Sequence, residues 1–203
     1  MVTVRSRGRL PHWEESAATY FVTFRLADSL PKAKLAEIEF ERRDIVATAI
    51  AMRRELSAGE RERLAKLFHY KIDAYLDAGR GKSFLAVPRV AQVVEKALRH
   101  FDGMRYRLIA WCVMPNHVHV VFRPLGDHGL REILHTWKSF SANNANRILG
   151  RGGEFWQREY YDHLVRNETD FRRVIEYVVD NPKKAGLVDW PWVWRVGEPI
   201  PEE

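Results

Sequence analysis

The sequence predicts an α+β fold in which helices pack on one face of a small antiparallel sheet. Aromatic and β-branched runs typical of strands occupy residues 20–26, 106–113 and 117–122. The last two runs are separated by Met114-Pro115-Asn116, a short turn that favours a hairpin and therefore antiparallel strands. Segments with helical apolar spacing lie between and after these runs, which is typical of helices laid against a sheet.

The remaining elements follow in order along the chain. Residues 88–101 and 130–149 have the apolar spacing of amphipathic helices. An aromatic segment at 155–161 predicts a short strand or extended stretch. Residues 170–181 again show apolar positions at i, i+3, i+4 and i+7, and we expect Pro182 to end this last helix.

One long segment and one tail lie outside this framework. Residues 32–78, rich in Ala, Glu, Arg and Leu, predict two inserted helices, the second of which begins with a capping box between Ser57 and Glu60. Residues 189–203 form a tail with three tryptophans. The chain of 203 residues is therefore expected to be a single domain, 1–203, with a helical insertion.

Composition narrows the class of protein. Thirty-three Lys and Arg against 27 Asp and Glu give a net charge of +6, which favours a polyanionic partner. The single cysteine, Cys112, excludes an internal disulfide framework and a cysteine-rich zinc site. The longest uncharged apolar run, 108–114, is too short to cross a bilayer, and the first ten residues lack the apolar core of a signal peptide. We therefore expect a cytoplasmic protein.

The most informative stretch is the pair of histidines in the third predicted strand. Side chains alternate along a strand, so His117 and His119 share one exposed face, about 7 Å apart along the strand. The apolar side chains on the opposite face point into the helix-covered core: Val118, Val120 and Phe122. Two imidazoles in this arrangement can bind one divalent metal ion, or they can be two ordinary surface histidines. A nucleotide hydrolase with three alternating histidines would need a third at position 121, which is Val121.

A second pair of polar side chains lies on the last predicted helix. Tyr177 and Asn181 are four residues apart, so they lie on one flank of the helix beside its buried stripe. The tyrosine is either an amphipathic packing residue or a nucleophile, with the amide oxygen of Asn181 offered to a metal. A phenol has a pKa near 10 and needs activation at pH 7, a demand that a metal on the scissile phosphate lessens. Pro182 is expected to turn Asn181 away from helical geometry.

Five segments, in this order, resemble the REP-associated tyrosine transposases, a branch of the one-tyrosine HUH transposase superfamily. Together they span most of the chain from Tyr20 to about Trp194. The segments are YFVTFRLADSLP (20–31), MPNHVHVVF (114–122), HTWKSFSANNANRIL (135–149), FWQREYYDHLVRN (155–167) and YVVDNPKKAGLV (177–188).

The resemblance implies a ferredoxin/RRM-like antiparallel sheet and a set of site residues. His117 and His119 would bind Mg²⁺ or Mn²⁺, Asn181 would be the third ligand, and Tyr177 would be the nucleophile. The implied reaction cleaves and rejoins single-stranded DNA at hairpin-forming palindromic repeats through a 5′-phosphotyrosine intermediate. A nucleoid-associated location in the cytoplasm follows from that substrate.

Other residues in these segments are candidate DNA contacts: Trp137, Lys138, Asn143, His163, Arg166, Lys183 and Lys184. Trp137 could equally pack in the core. Tyr160 and Tyr161 are rival nucleophiles, but neither is followed by an amide one helical turn later. Two other functions stay open: a catalytically silent hairpin-DNA or RNA-binding module, and a metal-dependent phosphohydrolase without a covalent intermediate. A tail docked on its own chain would favour a monomer over a dimer.

Overall fold

A computed structural model describes residues 3–5, 12–14, 18–30, 32–54, 56–57, 59–60, 63, 75–76 and 81–197. Its main feature is a five-stranded antiparallel sheet. The strands are β3 (Thr19–Arg25), β4 (Tyr106–Val113), β5 (His117–Pro124), β6 (Tyr161–Val165) and β7 (Val193–Arg195), in the order β6-β3-β5-β4-β7. Two short strands, β1 (Thr3–Arg5) and β2 (His12–Glu14), pair with each other. The histidine-bearing strand, β5, is therefore the central one.

Among the described residues, four α-helices have defined bounds: α1 (Lys32–Ala51), α2 (Pro88–Arg99), α3 (Leu130–Ile148) and α4 (Glu168–Lys184). The larger core lies between α2, α3 and the face of β5 that carries Val118, Val120 and Phe122, as the alternation predicts. These observations confirm the α+β class and the antiparallel sheet.

The arrangement differs from the prediction in one respect, because helices cover both faces of the sheet. Val174 and Val178 of α4 pack on the second face, against a smaller apolar cluster that includes Phe21, Cys112 and Val121. A strand that is apolar on both sides must be covered on both sides, and the nearly continuous apolar run of β4 is typical of such a strand.

The last helix extends beyond Pro182, so the prediction that it ends at residue 181 is wrong. Pro182 lies inside the final turn. It removes one backbone N–H from the helix, but its fixed φ is compatible with helical geometry. The amides of Ala185 and Gly186 then donate to the carbonyls of Asn181 and Lys183, with Gly186 at a φ of +74°. Asn181 thus keeps helical geometry, and the expectation that Pro182 turns it away is also wrong.

Three further segments can be compared with their predictions. The short strand lies at Tyr161–Val165 and not at 155–161, because Phe155 and Trp156 are core residues of the first face. In the insertion, α1 is a helix as predicted, and the capping box is confirmed by hydrogen bonds of 2.8 and 3.2 Å between Ser57 and Glu60. Most of the second inserted helix lies outside the described residues.

The tryptophan-rich tail adds the edge strand β7, which the sequence did not predict. It pairs with β4 of the same chain, and Trp194 packs into the first-face core. The indole of Trp190 also donates to the carbonyl of Val113 over 2.8 Å. Residues 198–203 lie outside the described part. Among the described helices, none has the length and apolar character needed to cross a bilayer.

Candidate active site

Both histidines lie in the middle of the sheet and are completely buried, at 0% exposure. Within the sheet, His119 is flanked by Thr23 on β3 and Cys112 on β4, and His117 lies opposite Arg25. The expectation of an exposed face is therefore wrong, because α4 covers the second face of the sheet. Neutral imidazole is the form that binds metal.

The two rings face each other through the same atom. Nε2 of His117 is 2.9 Å from Nε2 of His119, and the ring planes are nearly perpendicular at 79°. Each remaining ring nitrogen has a partner: Nδ1 of His117 is 2.7 Å from Oδ1 of Asn116, and Nδ1 of His119 is 2.8 Å from Oγ1 of Thr23. This leaves both Nε2 atoms directed at one point.

Tyr177 reaches this pair from helix α4. Its half-buried ring lies edge-on against His119, with 5.3 Å between the ring centroids, and edge-on against Phe21 at 5.8 Å. Phe21 in turn stacks on His119 at 5.6 Å. The ammonium of Lys184 lies 5.5 Å from the centroid of the phenol ring. The phenol is therefore held between the buried histidines and a cationic helix end.

Asn181 follows one turn after Tyr177 on the buried side of α4, at 1% exposure. Within the described part of the chain, neither Oδ1 nor Nδ2 of this amide has a hydrogen-bond partner. An unpaired buried amide costs on the order of 1–3 kcal/mol, so it calls for an explanation such as a bound ion.

These side chains fit a divalent cation. Two nitrogen ligands at about 2.1 Å from an ion and at right angles are about 3.0 Å apart, close to the 2.9 Å between the Nε2 atoms. Asn181 offers a neutral oxygen ligand, which Mg²⁺ and Mn²⁺ accept. No group of three His, Cys, Asp or Glu side chains that could hold a metal occurs among the described residues. The candidate set is thus two imidazoles and one amide.

The rival tyrosines lie near the site on strand β6 and just before it. Tyr160 packs against the first-face core, with the ammonium of Lys138 at 5.7 Å from its ring. Tyr161 packs on the second face, edge-on to Phe21 at 6.2 Å between centroids. Tyr161 therefore shares the face of the histidines, whereas Tyr160 does not.

Two of the predicted DNA contacts have partners within the described part of the fold. Trp137 is a core residue at 1% exposure, and its indole N–H donates to the hydroxyl of Tyr106 over 2.7 Å. The ammonium of Lys138 donates to the backbone carbonyls of Gln157 and Arg158, each over 2.8 Å. Both side chains thus stabilise the fold.

The other predicted contacts are exposed or half-buried. Asn143 and Arg166 are exposed, as are Lys183 and Lys184 at the end of α4. His163 is half-buried on β6, where its Nε2 is 2.7 Å from Oδ2 of Asp170. Burial opposes ionisation of Asp170, but hydrogen bonds and charge from His163, with Arg173 and the amide of Arg166, hold the pKa of that carboxyl below its ordinary value. His163 thus links β6 to the first turn of α4.

Comparison with known proteins shows which fold and which family the chain resembles. Residues 84–181, which include the histidine pair, Tyr177 and Asn181, match the family model described as "Transposase IS200 like". This part of the chain is similar to the IS200-like transposases. The resemblance to the REP-associated tyrosine transposases is confirmed by the relatives that follow.

Two curated relatives of this chain carry that name. A protein of Haemophilus influenzae, provisionally named a REP-associated tyrosine transposase, is 26% identical over 129 residues, covering 56% of this chain and 72% of the relative. The REP-associated tyrosine transposase of Escherichia coli K12 is 28% identical over 92 residues, covering 43% of this chain and 53% of the relative. The second match thus spans about half the length of that relative.

A solved structure shares the fold. It is the structure of a REP-associated tyrosine transposase bound to a REP hairpin, with a TM-score of 0.55 and 19% identity. The match covers 94% of this chain and 82% of that chain. It confirms the transposase fold of the five-stranded sheet with its helices.

Sequence reasoning missed the side chains that hold the candidate site together. Thr23 and Asn116 bond the two imidazoles, Phe21 contacts both His119 and Tyr177, and Asp170 anchors α4 to His163. Asn116 could have been noticed, because it directly precedes His117 in a turn. Thr23 could not, because its position opposite His119 depends on the register between β3 and β5.

Proposed function

We propose that this protein is a metal-dependent transposase that cleaves and rejoins single-stranded DNA at hairpin-forming palindromic repeats through a covalent link to Tyr177. The observation that carries the proposal is the contact of the Tyr177 ring with His119, 5.3 Å between centroids, inside the segment that matches the IS200-like transposases. A phenol beside a candidate metal pair has the placement that a nucleophile needs.

His117, His119 and Asn181 would hold Mg²⁺ or Mn²⁺. A bound divalent cation would polarise the scissile phosphate and neutralise charge on its non-bridging oxygens. The fit rests on the 2.9 Å between the two Nε2 atoms and on the buried amide of Asn181. This chain's own contribution is to aim the three ligand atoms and to exclude water from the imidazoles.

Tyr177 would attack in line. A bond forms between its Oη and phosphorus, and the bond from phosphorus to the 3′ oxygen breaks. The 3′ oxygen leaves as a hydroxyl, the phenol proton passes to solvent, and the downstream strand stays attached as a 5′-phosphotyrosine. Attack by a 3′-hydroxyl reverses the step and joins strands, so the bond energy is conserved. Phe21 and His119 hold the phenol ring on two sides and limit its rotation.

The DNA would approach along the exposed cationic end of α4. Lys183 and Lys184 are exposed there, and Lys184 lies close to the phenol ring. Arg166 and Asn143 are exposed elsewhere on the domain, and the net charge of the chain is +6. Cationic side chains beside the nucleophile would bind backbone phosphates and bring the strand to Tyr177. A similar fold is bound to a REP hairpin in its solved structure, which supports a hairpin substrate.

We also propose that residues 1–203 form one domain and that it acts as a monomer in the cytoplasm, associated with the nucleoid. The support for a monomer is that β7 pairs with β4 of the same chain and so occupies that sheet edge. Analytical ultracentrifugation of a dilute sample tests this, and a dimer would contradict it.

The test of the reaction is a denaturing gel of the full-length protein with a labelled single-stranded hairpin and Mn²⁺. The DNA comes from palindromic repeats flanking the gene that encodes this chain, and its label is at the 3′ end, since the downstream strand is the one that stays attached. We expect a covalent band in the wild type that is absent in Tyr177→Phe and absent with EDTA. Tyr160→Phe and Tyr161→Phe are matched controls and should keep the band.

The same gel separates the two alternatives. Tight hairpin binding with no covalent band and no cleavage would indicate a catalytically silent binding module. Cleavage that survives Tyr177→Phe would indicate a metal-dependent phosphohydrolase. A band lost in Tyr161→Phe and kept in Tyr177→Phe would move the nucleophile to strand β6.

A further inference from the structure

The buried turn before β5 carries an asparagine whose two amide atoms face different parts of the chain. Asn116 is 1% exposed. Its Nδ2 donates to the backbone carbonyl of Leu76 over 2.9 Å, and its Oδ1 is 2.7 Å from Nδ1 of His117. Because a carbonyl oxygen can only accept, the nitrogen of this amide must face Leu76 and the oxygen must face His117. The contact with Leu76 therefore fixes which way the amide points.

The amide orientation determines which nitrogen of His117 carries hydrogen. Oδ1 of Asn116 is an acceptor, so Nδ1 of His117 must be the protonated nitrogen. In a neutral imidazole the other nitrogen, Nε2, then has its lone pair available. That is the atom directed at Nε2 of His119 and the atom a metal would use.

The second histidine has a more adaptable partner. Oγ1 of Thr23 lies 2.8 Å from Nδ1 of His119 and, as a hydroxyl, can either donate or accept. When His119 donates from Nε2 to His117, the hydroxyl donates to Nδ1. When Nε2 of His119 binds an ion, the hydroxyl accepts from Nδ1–H instead. Thr23 can thus follow His119 between its two tautomers, whereas Asn116 holds His117 in one.

We infer that Asn116 and Thr23 are positioning residues that set the tautomer and orientation of the two histidines, and so the affinity of the site for a divalent cation. This inference rests on the proposed metal site. It also makes the end of the inserted segment, at Leu76, part of the support of that site. Partners of this kind typically change metal affinity by about 10- to 100-fold when they are removed.

The test measures Mn²⁺ affinity of the full-length protein by electron paramagnetic resonance of the free ion. Asn116→Leu and Asn116→Asp both lose the donor to Leu76, but only Asn116→Asp keeps an acceptor for Nδ1 of His117. We expect Asn116→Leu to bind Mn²⁺ about 10- to 100-fold more weakly than the wild type. Asn116→Asp should bind at least as tightly as the wild type, although both variants unfold at a lower temperature.

A second pair of variants is independent of the turn. Thr23→Ser keeps the hydroxyl and should retain Mn²⁺ affinity, whereas Thr23→Val has nearly the same shape without it and should weaken binding by about tenfold or more. If Thr23 had a merely structural role, a variant would unfold at a lower temperature. Its Mn²⁺ affinity would then not depend on whether the new side chain carries a hydroxyl or is apolar. Equal Mn²⁺ affinity in Asn116→Leu, Asn116→Asp and the wild type, or in the two Thr23 variants, would overturn the inference and leave the proposed function standing.

A measurement without metal distinguishes failure of the inference from failure of the proposed function. In the metal-free wild type, ¹⁵N shifts of the imidazoles should show His117 as the Nδ1–H tautomer and His119 as the Nε2–H tautomer. Asn116→Leu should lose the preference at His117, and Asn116→Asp should keep it. If the wild type bound no Mn²⁺, the proposed metal site would fail and these shifts alone would decide the positioning roles. The opposite tautomer at His117 in the wild type would overturn them.

Discussion

The phenol ring of Tyr177 lies edge-on against the imidazole of His119, with 5.3 Å between their centroids. The two residues meet because α4 packs its apolar stripe on the second face of the sheet, over strands β4 and β5. A helix that only packed there would need no polar group at its buried end, yet Asn181 is buried one turn further on. The site is therefore built from one strand and one helix, each of which presents polar side chains toward the other.

The buried amide of Asn181 should cost stability and support function. Asn181→Leu removes an amide that has no hydrogen-bond partner among the described residues, so we expect the free energy of unfolding to rise by about 1 kcal/mol. The same change should weaken Mn²⁺ binding and abolish the covalent band. Asn181→Asp, which restores an oxygen ligand, should recover Mn²⁺ binding. Urea unfolding and Mn²⁺ titration measure the two effects, and a less stable Asn181→Leu with normal Mn²⁺ affinity would contradict the assignment.

The His163–Asp170 pair should make stability depend on pH in acid. The pKa of Asp170 is lower in the folded protein than the ordinary value of about 3.9. The ionised carboxylate therefore makes its full contribution to the stability of the fold above a pH of about 4. It is lost as the pH falls through the lower folded-state value. We expect Asp170→Asn to be less stable than the wild type by about 1–2 kcal/mol at pH 7, with the difference shrinking below pH ~4. Urea unfolding at several pH values measures this, with Asp180→Asn, an exposed site on the same helix, as control.

Lys138 should make stability depend on pH in base. Burial lowers the pKa of its ammonium to about 8, with Glu159 opposing and Arg25 adding to the shift. The unfolded chain then binds more protons than the folded one between pH ~8 and ~10, so stability rises with pH in that window, by at most roughly 3 kcal/mol. We expect the wild type to gain stability relative to Lys138→Met as the pH rises from 8 to 10. Parallel plots of stability against pH for the wild type and Lys138→Met would contradict this. Relative to Lys183→Met, a variant at an exposed lysine, the wild type should show no such gain.

Trp137 should matter for folding and not for hairpin binding. Trp137→Phe removes the hydrogen bond to Tyr106 and leaves a cavity beside Phe122, so we expect it to cost about 1–3 kcal/mol of stability. The affinity for the hairpin, measured by fluorescence anisotropy at a temperature where the variant is folded, should not change. A large loss of affinity in the folded variant would restore Trp137 as a DNA contact. Asn143→Ala, at an exposed position on the same helix, is the comparison.

Much of the site could be predicted because the residues of each pair are close to one another in the sequence. Alternation along β5 places His117 and His119 on one face, and a separation of four residues places Tyr177 and Asn181 on one flank of α4. The hairpin and the amphipathic helices follow from the same two periodicities.

What could not be predicted depends on tertiary packing. The complete burial of the histidines follows from the helix α4 on the second face, which no local pattern specifies. The roles of Thr23 and Leu76 depend on contacts across 96 and 40 positions of sequence. Pro182 was misjudged because its cost depends on its place in the final turn of the helix, which the sequence does not show.

The most direct measurement of the central claim is the position of the covalent link. The adduct formed with hairpin DNA and Mn²⁺ is digested with nuclease and trypsin, and the peptides are sequenced by mass spectrometry. Cleavage after Arg173 and Lys183 releases residues 174–183, a peptide whose only tyrosine is Tyr177, whereas Tyr160 and Tyr161 fall together in residues 159–166. We expect a nucleotide phosphate on the peptide 174–183. The same modification on the peptide 159–166 would contradict the assignment of Tyr177 as the nucleophile.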